Sequence, residues 1–391
     1  MKAVIVTNSS SYEPRAEKVG CFLQKQGFGV MWIQSDFNHR EKKKMRRDIE
    51  NHRFINTVPY KKNMSIRRMY SQYDFSRKVY RLLKDEPVDL LYVLIPANSL
   101  TPVAARLKKR AEARLVLDLI DLWPESLPIK GLEWFWPVRC WRKLRDDYLA
   151  AADLVLTECG LYQELLRMDG NPDIKRKSVM YWPKEREPEK EPGFLPDSDR
   201  LHIGYIGSIN HIIDMDLILE VLDKVNQKKP VVVHVIGEGE NRERFLEKLK
   251  SLGLEVEYYG AVYDEEAKRR VLEKCGFGIN MMKETVQVGL TMKSIDYFCC
   301  GVPLINNIKG DTWELVERYG IGVNCRREDP EECAGKILEV SERIQEKRGL
   351  IRELYGQLFT EQAMEQVLER ELLPLFADSA GDYGSSRAKE S

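Results

Sequence analysis

No stretch of this sequence approaches the ~20 consecutive apolar residues that a membrane-spanning helix needs, so any contact with a bilayer would be peripheral. The opening Met-Lys-Ala-Val-Ile-Val is too short for the apolar core of a secretory signal. Eight cysteines include no Cys-x-x-Cys pair, and two of them, Cys299 and Cys300, are adjacent. That spacing argues against a zinc site and for reduced thiols in a cytosolic protein. The polar loop at residues 8–12 contains no glycine, which removes the main support for a dinucleotide-binding oxidoreductase. Asp214 and Asp216 have the Asp-x-Asp letters of a metal pair but stand at a helix start, where acids ordinarily cap. Neither a metal nor a cofactor is expected. There is no repeat of solenoid length. Net charge is also absent, although the total hides an asymmetry: residues 1–200 hold 37 Lys and Arg against 28 Asp and Glu, and residues 201–391 hold 25 against 34. The basic half predicts an anionic partner on its surface.

What is present is α/β alternation, twice. A chain of 391 residues with 43% apolar content can bury two ordinary cores. Short β-rich runs at residues 3–7, 30–34, 89–95, 115–120 and 153–157 alternate with helical patterns in the first half. Residues 202–206, 231–236, 278–282 and 304–307 do the same in the second. The run at 89–95 is almost continuously apolar, as in a parallel strand covered on both faces. Four prolines and no apolar period mark 183–200 as a linker. The predicted organisation is a first domain at 1–182, a second at 201–360, a terminal helix at 361–378 and a disordered tail at 379–391. Helices are expected at 332–345 and 354–376.

The most specific chemistry lies at residues 288–303. Gly289 and Thr291 precede about nine residues that can be helical, and Gly301 and Pro303 stop them. On a 3.6-residue period Met292, Ile295 and Phe298 share one face, opposite Lys293, Asp296, Tyr297 and Cys300. Such a helix is either an ordinary amphipathic surface helix or an anion site. The second reading has charged residues in the first turns, just after a glycine loop, where free amides and the helix dipole attract a phosphate. Lys293 would grip that phosphate and Asp296 would accept from a ribose diol.

This segment resembles the donor-binding segment of family 4-type retaining glycosyltransferases, through Gly289, Leu290, Lys293, Asp296, Tyr297, Gly301 and Pro303. The family's first acidic position is Val288 here. A second block, Asp121-Leu-Trp-Pro-Glu-Ser126, is similar to one in bacterial relatives that build surface polysaccharides. The resemblance implies a GT-B fold: two Rossmann-like α/β domains facing each other across a cleft, with a C-terminal helix crossing back to the first. It implies a nucleotide-diphosphate sugar as donor and a lipid-linked saccharide as acceptor, with retention and without a metal. The donor residues it picks out are Gly207, Ser208, Gly237, Tyr263, Val288, Gly289, Leu290, Thr291, Lys293 and Asp296, with Lys293 and Asp121 catalytic. Asp121, at a strand end, would meet the acceptor hydroxyl or else only cap the next segment.

The first half carries basic residues from Arg40 to Arg68, which are either a solvated loop or an anion-facing surface. A single-stranded nucleic acid would need more interleaved aromatics than Phe54, Tyr60 and Tyr70. Trp134, Trp136 and Trp141 are mixed with arginines, as at a membrane interface or in a core helix. His39, Arg40, Lys43, Trp134 and Trp141 are therefore the acceptor and membrane candidates, on a cytoplasmic protein held at the inner face of the membrane. Two rival functions remain open: a nucleotide-sugar-binding subunit without turnover, which Val288 favours, and a nucleotide-sugar 2-epimerase.

Overall fold

The computed structural model describes residues 1–39, 41–45, 47–62, 65–127, 131, 134–185 and 199–379. Arg40, most of the expected linker and residues 380–391 of the expected tail lie outside the described residues. The chain divides into two units, Met1–Pro183 with Glu361–Ser391, and Lys184–Thr360.

The first unit is a seven-stranded parallel sheet in the order β5-β2-β1-β6-β7-β8-β9. Its elements are β1 (Lys2–Thr7), α1 (Glu13–Lys25), β2 (Gly29–Ser35), β3 (Phe37–Asn38), β4 (Lys43–Lys44), β5 (His52–Ile55), α2 (Ile66–Leu83), β6 (Leu90–Ile95), α3 (Leu100–Ala111), β7 (Arg114–Leu119), α4 (Trp136–Asp146), β8 (Leu154–Thr157), α5 (Gly160–Leu165) and β9 (Lys177–Val179). The period-2 alternation of a strand explains the two cores. Val4 and Val6 of β1 face Phe75, Val79, Leu100 and Leu107 on one side. Ala3 and Ile5 face Ala16, Val19 and Phe22 on the other, together with Met364 and Leu368 from the end of the chain. One buried charge fixes α1 to the sheet: Arg15 makes a fork to Asp118 at 2.7 and 2.9 Å and donates to the Met180 carbonyl at 2.9 Å. Tyr92 supplies Asp118 with a further hydrogen bond at 2.7 Å. Removing either partner would leave a charge buried alone, at a cost of about 3–5 kcal/mol.

The second unit is a six-stranded parallel sheet in the order β12-β11-β10-β13-β14-β15. It comprises β10 (Leu201–Ile206), α6 (Met215–Asn226), β11 (Val231–Ile236), α7 (Arg242–Ser251), β12 (Glu255–Gly260), α8 (Glu265–Glu273), β13 (Phe277–Asn280), α9 (Met292–Cys299), β14 (Leu304–Asn306), α10 (Asp311–Tyr319), β15 (Gly322–Asn324), α11 (Pro330–Ser341) and α12 (Ile344–Leu358). The last helix, α13 (Glu361–Glu371), belongs to the first unit. Lys18 and Lys25 of α1 pair with its Glu361 and Glu365, both at 2.6 Å. Both units are thus Rossmann-like.

Three expectations are corrected. The helix expected at 354–376 is broken after Leu358, where Phe359 and Thr360 separate α12 from α13. Cys325 and Cys333 are joined as a disulfide with Cα atoms 5.3 Å apart, so the thiols are not all reduced. Their spacing showed nothing of this, because the pairing arises from β15 delivering its end against the first turns of α11. The third concerns α9, whose faces are not those that periodicity assigned. Met292 is 46% exposed, whereas Tyr297 and Cys300 are buried. The cause is a split in the sheet: the β10–β13 ladder ends at Gly204 and Gly278, and the Tyr297 hydroxyl fills the gap. That oxygen accepts from the Ile206 amide at 3.0 Å and donates to the Gly204 carbonyl at 3.0 Å. Gly278 makes room, since a Cβ there would stand 2.3 Å from the tyrosine ring.

Candidate active-site residues

In an open parallel sheet the ligand crevice lies beyond the carboxyl ends of the strands, and in the second unit three loops meet there. Gly207 and Ser208 follow β10, Gly237 follows β11, and residues 281–291 lead from β13 into α9. The first two loops touch backbone to backbone. Gly237 has φ +156°, and a Cβ on it would lie 2.0 Å from the Gly207 carbonyl oxygen. The Gly207 amide donates to Ile236 at 2.9 Å and the Ile209 amide to Glu238 at 2.9 Å, so the Gly207 amide is committed to the scaffold. Ser208 is exposed at the tip.

The loop before α9 is held by polar contacts that sequence spacing did not reveal. The Gly289 carbonyl accepts from the amide and the hydroxyl of Thr312, both at 2.8 Å. Val288 is half-buried and Leu290 buried. Thr291 caps α9 by accepting from the Ser294 amide at 3.1 Å and donates to Asn280 at 2.9 Å. That leaves the amides of Met292 and Lys293 as first-turn donors without intrahelical partners.

Lys293 leans from this turn over β10. Its ammonium lies 4.6 Å from the centroid of the Tyr205 ring and 3.3 Å from the Tyr205 hydroxyl. Its Cε would be 3.1 Å from a Cβ on Gly207. Among the described residues no carboxylate forms an ion pair with it. Burial pushes its pKa down to about 8. A cation brought to the mouth of a strand end, beside two free amides and a glycine, has the makeup of an anion site.

Asp296 turns to other neighbours. It pairs with Lys184, which also meets Glu265 at 2.8 Å, and it has Lys268 at 3.5 Å. These groups line a recess of about 110 Å³ with Cys299 and Cys300. Against the downward pull of burial, Asp296 and Glu265 raise the Lys184 ammonium. A ribose diol would share the Asp296 carboxylate with two ammonium groups. Lys184 stands 112 residues away in sequence, so no local pattern could have disclosed the pair. Tyr263 is 91% exposed and makes no packed contact with the core. His211 pairs with Glu240 at 3.1 Å, and Asp214 caps α6 while pairing with Arg327. Among the described residues no group of three or more His, Cys, Asp or Glu is placed to hold a metal ion.

In the first unit Asp121 follows β7, and the Ile120 amide donates to Ile95 at 2.9 Å. Tyr12, from the loop after β1, donates its hydroxyl to Asp121. Burial raises the Asp121 carboxyl above its ordinary value, against the lowering effects of Tyr12 and Arg68. The Arg68 guanidinium lies 4.2 Å from the Trp123 ring centroid and 5.7 Å from that of Tyr60. The Tyr60 hydroxyl is 3.4 Å from His39. Tyr12, Arg68 and Tyr60 thus form a chain of contacts with Asp121 and His39 beyond the strands of the first sheet, and nothing in their spacing announced it. Glu125 is a structural acid, held by Arg142 at 2.8 Å and Arg145 at 2.9 Å. Lys43 is exposed on the small β3–β4 hairpin. Trp134 is 83% exposed. Trp141 instead packs on Trp123, with centroids 6.2 Å apart. Arg40 lies outside the described residues. Among those residues no helix is long and apolar enough to cross a membrane.

Residues 200–343 match the family model described as glycosyl transferases group 1. Over 134 residues the chain is 27% identical to chitobiosyldiphosphodolichol beta-mannosyltransferase of Candida albicans, a stretch covering 32% of this chain and 29% of that protein. The match therefore spans under a third of that curated relative. Among solved structures, sucrose-phosphate synthase from Thermosynechococcus elongatus is similar at a TM-score of 0.70 and 12% identity, covering 97% of this chain and 100% of that one. Anabaena HepE in complex with UDP-glucose is similar at 0.61 and 16% identity, over 95% and 99%. At such identities the likeness is one of fold. The second unit carries a glycosyl transferases group 1 domain, and the chain as a whole has the GT-B fold of these solved structures.

Proposed function

We propose that the protein transfers a hexose-type sugar from a nucleotide-diphosphate sugar to a lipid-linked saccharide acceptor in cell-surface polysaccharide assembly, with retention and without a metal. The observation that carries this reading is Lys293: a cation with no carboxylate partner among the described residues, set between the first-turn amides of α9, Gly207 and Tyr205. As the bond to the anomeric carbon breaks, charge grows on the leaving diphosphate. Fixed amides and an ammonium already in place stabilise that charge without reorganising. The leaving phosphate oxygen then takes the acceptor hydroxyl proton as the new bond forms on the same face. Asp121, with its raised pKa and its Tyr12 partner, orients the acceptor in the first unit. The donor is supported by the UDP-glucose complex of Anabaena HepE. The acceptor is supported by the dolichol-diphosphate-linked substrate in the name of the Candida relative.

Lys293→Ala tests the core of this. It is expected to abolish transfer and weaken binding of the nucleotide while the thermal midpoint stays within a few degrees of wild type. A variant with undiminished turnover removes Lys293 from the mechanism.

Val288, a valine at the family's first acidic position, favours a second reading in which the second unit holds a nucleotide sugar without turning it over. Slow release of free nucleotide from donor in the absence of acceptor separates the two, since a pure binder releases none. Chromatography of donor alone would also expose a 2-epimerase.

A further inference from the structure

Helix α2 has an outward stripe that neither candidate site uses. Ile66, Met69, Tyr70 and Tyr73 recur at the i, i+3, i+4, i+7 spacing of one helical face. They are 85, 40, 56 and 56% exposed. The stripe continues through exposed Arg77 and Arg81, with exposed Lys61, Lys62 and Arg67 at its head. The one acid of the helix, Asp74, is buried off the stripe and paired with Lys78 at 2.6 Å. Over its 18 residues the outward face therefore carries positive charge and apolar surface and no negative charge.

A second exposed cluster stands at the start of α4, where Trp134, Phe135 and Trp136 are 83, 54 and 70% exposed. The two are joined through the core of the first unit. Arg68 of α2 stacks on Trp123, and Trp123 packs on Trp141 of α4. Both surfaces are thus borne on the elements that flank Asp121. The basic run beyond β2 is a weaker candidate, because Lys44 pairs with Asp36 at 3.3 Å and Arg47 with Glu13 at 2.5 Å.

We propose that the outward face of α2 is a docking surface for an anionic lipid bilayer, with Ile66, Met69, Tyr70 and Tyr73 entering the headgroup region and Arg77 and Arg81 meeting lipid phosphates. Charge complementarity selects this occupant. Phenol rings have an apolar body and a polar tip suited to the interface, and guanidinium groups beside them add attraction to anionic headgroups. The assignment rests on the lipid-linked acceptor reading for its purpose, but its test does not involve transfer.

The full chain is sedimented with phosphatidylcholine vesicles, with and without phosphatidylglycerol, at low and high salt. Binding is expected only with the anionic lipid and is expected to fall with salt. Tyr70→Ser with Tyr73→Ser, and separately Arg77→Glu with Arg81→Glu, should each lower the partition by about tenfold or more. Both pairs are exposed, so circular dichroism and UDP binding should remain as in wild type. If the tyrosine pair fails to fold, Ile66→Ser serves in its place. Absence of wild-type binding to anionic vesicles, or variants that bind as wild type does, overturns the proposal. Vesicle binding that survives in Lys293→Ala while UDP binding is lost shows that the surface and the donor site stand or fall separately.

Discussion

A lysine with a depressed pKa has a testable pH signature. On the proposed reading a nucleotide diphosphate binds the ammonium form, and in the free protein that form is lost as pH rises through about 8. In the complex the phosphate charge raises the pKa again, so affinity is constant below pH 8 and falls above it, by up to about tenfold per unit. Lys293→Arg, whose guanidinium stays charged, should flatten the decline even if it binds less tightly. Titration calorimetry with UDP across this range reads both outcomes, and unchanged wild-type affinity up to about pH 9.5 would remove Lys293 from the phosphate. Tyr205 is the second residue to question. Its hydroxyl donates to the Ser208 carbonyl at 2.8 Å and accepts from Lys293, so one phenol joins the glycine loop to the cation. Tyr205→Phe keeps the ring beneath the ammonium and deletes only that link. It should raise the KM for donor about three- to tenfold, as loss of roughly 1 kcal/mol would, with stability nearly unchanged. A KM equal to wild type would mean that the loop and the lysine hold their places independently.

At the scale of elements, the strand-end loops of the second unit show why one glycine is indispensable and another is not. Gly237 lies against the Gly207 carbonyl, so Gly237→Ala must push two backbones apart. A loss of about 3 kcal/mol or more is expected from chemical denaturation, in line with overpacking beside rigid backbone. Gly356 sits in the interior of α12, and a Cβ on it would meet nothing within 4 Å. Gly356→Ala should stabilise by about 0.5–1 kcal/mol. Equal effects of the two changes would refute the close-approach argument. Elements also show what was legible in the sequence. Parallel strands were, since β6 and β11 are buried along their whole length and read as apolar runs, broken only by His234 in β11. Gly207, Gly237 and Lys293 were named together by the resemblance, and the fold does bring them into contact. The faces of α9 were not legible, because a helix packed between a sheet and α12 is buried on more than one side and has no single apolar stripe. Nor were Lys184 beside Asp296 or Tyr12 beside Asp121, which are brought together only by folding over 112 and 109 residues.

At the scale of the molecule, the two units divide the charge and, on the proposed reading, the chemistry as well. The basic half of the sequence forms most of the first unit, with Asp121 at a strand end, and the acidic half forms most of the second, with Lys293. An acidic unit that binds a diphosphate must rely on local geometry, since its overall field opposes the ligand. On the proposed reading the first-turn amides of α9 and the Lys293 ammonium provide that geometry. Nucleotide binding should therefore be a property of the second unit. Hydrogen exchange with and without UDP is expected to show added protection at residues 205–211, 237–241 and 289–296. The strands β1, β6 and β7 of the first sheet should exchange as before, because a ligand confined to one folded unit slows opening there by mass action. Protection centred instead around Asp121 and Arg68 would place the nucleotide in the first unit and reverse the assignment of donor and acceptor.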